Sequence, residues 1–172
     1  MVKYDAEHMF YFDKGDDSKM TYPNEGLVRF LLEAKKNTYA SGSGSSSLPS
    51  RPGVKELSYQ DGEYAYLDSY FGEVHFAGQE IVWHQGKAVW GMNYFGFTAD
   101  PVEGFPDFLL EALKRVPAKA PYRGPETFLQ GEFAYDCRWS GEVRQFTGRE
   151  TIRYKGKEMY SLVFHGGILQ YA

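Results

Sequence analysis

A series of short motifs in the first half of the chain returns in the same order in the second, and nothing else in the sequence constrains the fold as strongly. Phe30-Leu31-Leu32-Glu33-Ala34 recurs as Phe108-Leu109-Leu110-Glu111-Ala112. Gly62-Glu63-Tyr64-Ala65-Tyr66 recurs as Gly131-Glu132-Phe133-Ala134-Tyr135, and Gly72-Glu73-Val74 as Gly141-Glu142-Val143. After a one-residue slip, Glu80, Gly86-Lys87 and Gly96 match Glu150, Gly156-Lys157 and Gly166. Chance explains any single match, but not the shared order.

The order predicts one α+β domain over residues 1–172, built by internal duplication of a helix followed by a three- to four-stranded antiparallel meander. The repeats fall at 24–97 and 104–168, related by a pseudo-twofold axis, with the helices packed on one face of the sheet. In the first, Asn24 is the N-cap and Leu27, Leu31 and Ala34 form the apolar stripe. In the second, Pro106 sits near the first helical position, a stripe runs from Phe105 to Val116, and Pro117 ends the helix. Asp61-Gly62, Gln85-Gly86, Ser140-Gly141 and Lys155-Gly156 mark the turns. Residues 1–23 read as an N-terminal extension in which His8–Phe12 adds an edge strand. Ser41–Ser47 has flexible-linker composition.

Composition narrows the function classes. The net charge is −4 and the basic residues are scattered, which excludes the concentrated basic face of a nucleic-acid binder. The single cysteine, Cys137, allows no intramolecular disulfide and suits a reducing, cytoplasmic compartment. No apolar run approaches the ~20 residues that span a bilayer, so no membrane partner is expected. Fourteen Tyr and thirteen Phe are suited to packing on sheets.

With Gln85-Gly86 as a two-residue turn, counting pairs Val82 with Val89, Ile81 with Trp90 and Glu80 with Gly91. One face then carries Ile81, Trp83, Trp90, Met92 and Tyr94 as the core. The other carries Glu80, Val82, Asn93 and Phe95, with Glu150, Val163 and His165 as second-half counterparts. This second face is apolar enough to be covered by loops, a ligand or a second subunit.

Candidate ligand-binding residues are Glu80, Asn93, Glu150, His165, Arg51 and Arg123. Equivalent glutamates across a pseudo-twofold axis suit acid–base work or cation binding, because close like charges raise one pKa. They equally suit structural ion pairs with arginines such as Arg51 or Arg123. His165 precedes Gly166-Gly167, where backbone can approach closely. Cys137 reads as core, no histidine has a partner at metal-ligand spacing, and no cofactor motif is present.

The stretches Ser50-Arg51-Pro52, Tyr66-Leu67-Asp68-Ser69-Tyr70, Phe76–Trp83, Trp90–Gly96, Pro121–Pro125 and Phe164–Gly167 together resemble an uncharacterised bacterial domain of unknown function. The likeness spans roughly residues 27–168. The resemblance implies a domain that works alone or behind a helix-turn-helix in some regulators, an element residues 1–23 are too short to form. It brings no catalytic residues. Three function classes follow, in this order: a small-molecule-binding or sensory domain, with its pocket on the second face or at the repeat junction; a protein-interaction or homodimerisation module; and a hydrolase or isomerase using the glutamate pair with His165.

Overall fold

A computed structural model of the chain describes residues 24–38 and 50–171. The His8–Phe12 strand and the Ser41–Ser47 linker lie outside the described residues.

The chain is mainly β. Four strands, β1 (Lys55–Asp61), β2 (Tyr64–Gly72), β3 (His75–His84) and β4 (Lys87–Thr98), are followed by four more, β5 (Thr127–Gln130), β6 (Phe133–Glu142), β7 (Gln145–Tyr154) and β8 (Lys157–Ile168). All eight form one sheet in the order β1-β2-β3-β4-β8-β7-β6-β5, antiparallel at every seam. This corrects the expected α+β duplication with helices layered on the sheet. Only two short helices are present among the described residues, α1 (Asn24–Asn37) and α2 (Phe105–Leu113). Neither is long enough to cover the sheet; the ring contacts include Phe30 of α1 on Tyr64 and Phe108 of α2 on Phe133.

Helix α2 is also shorter than its apolar stripe implied. It opens after Gly104, whose φ of 82 is open to glycine. It closes at Leu113, well before Pro117, where Arg115 and Val116 donate tight-turn bonds to Ala112 and Leu113. Pro117 restricts only Val116 directly, and the tight-turn bonds after Leu113 end the α-helix before that restriction applies.

Turn chemistry sets the hairpins. Gln85-Gly86 and Lys155-Gly156 have positive φ at both positions, as a two-residue hairpin turn requires. Ser140-Gly141 is no turn: both lie within β6, and the reversal falls on Val143 and Arg144.

The register differs from simple counting for one physical reason. A bulge follows each tight turn, with Val89 and Met159 as the extra residues. Trp83 pairs with Ala88, but Val82 then pairs with Trp90, Ile81 with Gly91 and Glu80 with Met92. Likewise Arg153 pairs with Glu158, but Ile152 pairs with Tyr160 and Glu150 with Leu162. Because side chains alternate, a one-residue slip exchanges the faces. Glu80, Val82, Glu150 and Ile152 therefore join Trp90, Met92, Tyr94, Tyr160, Leu162 and Phe164 on the core side, where all are buried. The opposite face carries Gln79, Asn93, Thr147, Arg149 and His165, all exposed, which is the ordinary polarity of a sheet covered on one side.

Candidate functional site

The core side holds charged residues that an apolar interior does not ordinarily accept. In the first half, Lys35 reaches inward from α1 and pairs with Glu80; their side chains are 1% and 0% exposed. Asp68 lies beside Glu80 on β2, and accepts a 2.7 Å hydrogen bond from the Tyr94 hydroxyl. Tyr94 makes this reach across β3 because Gly78 has no side chain; a Cβ there would stand 2.3 Å from the tyrosine ring. Burial, together with the Glu80 charge, pushes the Asp68 carboxyl up to about 7 against the pull of Tyr94, Lys35 and Arg123. Burial pulls Lys35 down, opposed by Glu80. Glu80 Oε1, Trp90 Nε1 and Tyr122 Oη are buried and have no hydrogen-bond partner among the described residues.

The second half is arranged differently. Glu150 Oε1 accepts from Arg123 Nε and Nη2 at 3.1 and 2.8 Å and from the Tyr160 hydroxyl at 2.6 Å. Its Oε2 accepts from Tyr135 at 2.5 Å, and Tyr135 in turn accepts from the Gly124 backbone N–H at 2.8 Å. Burial raises the Glu150 carboxyl, but the Arg123 charge and the hydrogen bonds from Arg123, Tyr135 and Tyr160 outweigh it and hold it below the usual range. Where β2 presents Asp68 to Glu80, β6 presents Cys137 to Glu150. Burial and the Glu150 charge push that thiol up to about 12, which favours its protonated form near neutral pH.

The six residues singled out in the sequence are thus dispersed. Glu80 and Glu150 share a face but are three strand spacings apart, roughly 14 Å or more. Each is bonded to a cation, so the pair forms no acid–base dyad. Arg123 holds Glu150, whereas Arg51 remains on the exterior, bonded to Ser69 at 3.2 Å and lying 5.2 Å from the Phe71 ring. Asn93 and His165 are direct partners across the β4–β8 seam, on the face opposite both glutamates. The expectation that His165 shares a face with Glu150 fails for the bulge already described.

At that seam the exposed face is hollowed. A groove of about 480 Å³ is lined by Gln79, Asn93, Gln145 and Gln170, by Arg144, and by Ile81, Ile168 and Leu169 over Gly91, Gly166 and Gly167. Gly91 keeps the hollow open: a Cβ there would stand 2.9 Å from Ile81 Cδ1 and 3.8 Å from Leu169 Cδ1, both lining side chains. Backbone bonds frame it, from Ile168 N–H to the Arg144 carbonyl at 3.0 Å and from Leu169 N–H to the Val89 carbonyl at 2.9 Å. Gln79 Nε2 donates to Asn93 Oδ1 at 2.8 Å, which leaves the Asn93 amide as a donor and Gln79 Oε1 as an acceptor. The volume falls within the range of small-molecule sites, with polar groups set around a few apolar contacts.

Sequence reasoning named Asn93 but missed Gln79, Arg144, Gln145 and Gln170, which come from three separate segments. Lys35 had a readable signal: it continues the Leu27, Leu31 spacing of the buried helix stripe. Among the described residues no group of three His, Cys, Asp or Glu side chains is placed to hold a metal ion. No described helix is long and apolar enough to cross a membrane, which says nothing of strands.

No curated protein and no solved structure matches the chain. A family model matches residues 68–169, from the aspartate of the buried cluster to Leu169 in the seam groove and over more than half of the chain. The chain belongs to that family, DUF5680, a domain of unknown function.

Proposed function

We propose that this protein is a small-molecule-binding domain whose site is the groove at the β4–β8 seam. The observation that carries it is the coincidence of a ligand-sized hollow with four carboxamides and three glycines where the two four-stranded halves meet. Carboxamides offer donors and acceptors without the desolvation cost of charge, and glycines expose backbone to a ligand. The buried Lys35–Glu80 and Arg123–Glu150 pairs lie on the core side of the sheet, outside the groove lining.

A thermal-shift screen against a panel of polar metabolites tests the reading. A compound that raises the melting temperature of the parent chain, but not that of Asn93→Ala or Gln145→Ala, supports it. A shift that survives both substitutions sinks it.

A second reading has its own observation. Phe95 and Val163 are direct partners in the middle of the exposed face and are 53% and 52% exposed. Side-by-side apolar groups there suit a protein interface. Light scattering behind size-exclusion chromatography distinguishes the two, since a monomer at every concentration removes self-association.

A further inference from the structure

We infer that the groove takes an anion: a small polar carboxylic acid whose carboxylate docks on Arg144 and whose hydroxyl or amide groups meet the surrounding carboxamides. This rests on the groove being the binding site.

The charge pattern carries the inference. The chain has an excess of acidic residues, yet the groove lining contains one guanidinium and no carboxylate. Arg144 makes no ion pair among the described residues, whereas Arg138, Arg149 and Arg153 on the neighbouring strands are each held by Asp136 or Glu158. Glu142 pairs with Gln145 across the same hairpin but does not line the groove. A second cation stands beside the far end, where Lys87 lies 4.7 Å from the ring of Tyr171, next to the lining residue Gln170.

Position favours a planar anion. Arg144 occupies the β6–β7 turn with its carbonyl fixed by Ile168, so the side chain projects from an anchored backbone rather than a free loop. A guanidinium presents a fork of parallel N–H donors that matches a carboxylate. Opposite, the Asn93 amide donates and Gln79 Oε1 accepts, a pairing that a hydroxyl or amide on the ligand satisfies from both sides. The groove, at about 480 Å³, admits a molecule of monosaccharide size.

The test is a titration of isotope-labelled protein followed by amide resonances, using acids paired with their own uncharged amides. The pairs are gluconate with gluconamide, glucuronate with glucuronamide, and N-acetylglycine with N-acetylglycinamide. At least one acid is expected to move the resonances of Gly91, Asn93, Gly166 and Gly167 with affinity roughly tenfold or more above that of its amide. Arg144→Gln is expected to erase that preference without lowering the melting temperature, and Arg144→Lys to keep part of it. Equal binding of an acid and its amide leaves the groove a binding site but overturns the anionic assignment. So does a preference that survives Arg144→Gln. If none of the six compounds moves a groove resonance, both this inference and the reading beneath it are overturned.

Discussion

Glu80 and Glu150 occupy matching places in the two four-stranded halves, each in the middle of the third strand and each fully buried, yet their surroundings differ. Glu150 is bonded at both oxygens by an arginine fork and two tyrosines, and one of those tyrosines also ties down the Gly124 backbone. Among the described residues Glu80 has one lysine on one oxygen and no partner on the other, with a second carboxylate beside it. A buried charge is stable when its lone pairs are filled and costly when they are not. The second half is therefore a closed network and the first an open one. Closure ties β6, β7, β8 and the Gly124 backbone to a single carboxylate. The open cluster stores proton-dependent energy instead.

Breaking the closed network should have the largest effect. Arg123→Ala leaves Glu150 buried without its counter-charge, and a loss of about 3–5 kcal/mol is expected in denaturant unfolding. A loss below about 1 kcal/mol would show that the tyrosines alone hold the carboxylate.

The open cluster should reveal itself through pH. The folded Asp68 carboxyl stands at about 7, above its ordinary value of 3.8. Its favourable contribution is thus complete below the ordinary value and lost as pH rises through about 7. Asp68→Asn is expected to remove a stability decline of a few kcal/mol between about pH 4 and about pH 7. Glu150 has the opposite sign. Held low, it stabilises above the ordinary carboxylate range, and that contribution fades on acidification. Unfolding midpoints at about pH 5 and about pH 8 for both chains separate the two, and identical pH slopes would break the assignment.

Smaller effects sharpen the contrast. Tyr135→Phe removes one bond to Glu150 and strands the Gly124 N–H, for an expected loss of about 1–2 kcal/mol by chemical denaturation. In the first half, Lys35→Met combined with Glu80→Gln exchanges an incompletely satisfied ion pair for neutral groups of similar shape. Its stability should stay within about 1 kcal/mol of the parent, as judged by thermal melting, while Lys35→Met alone costs more. A double variant as damaged as the single one would mean the ion pair itself is needed.

Much of the strand framework was legible. Positive-φ turn pairs such as Gln85-Gly86 and Lys155-Gly156 are local requirements written directly in glycine, and they placed two hairpins correctly. The helices were over-read because an apolar stripe records burial rather than helical length, and the run from Phe105 to Val116 is buried partly in a turn. Sheet faces were misassigned because Val89 and Met159 look like ordinary strand residues. Nothing local distinguishes an extra residue from a paired one, and the choice is made by which face the partner strands bury.

Local chemistry was enough for two things: the tight turns at Gln85-Gly86 and Lys155-Gly156, and the matching positions of Glu80 and Glu150. The tertiary structure alone decided that eight strands join in one sheet, that bulges turn both glutamates inward, and that Lys35 and Arg123 meet them. It also decided that Gln79, Asn93, Arg144, Gln145 and Gln170 surround one groove. The reason is separation along the chain. Turns follow from the conformational limits of adjacent residues, whereas a groove assembled from four segments exists only once long-range pairing sets the register.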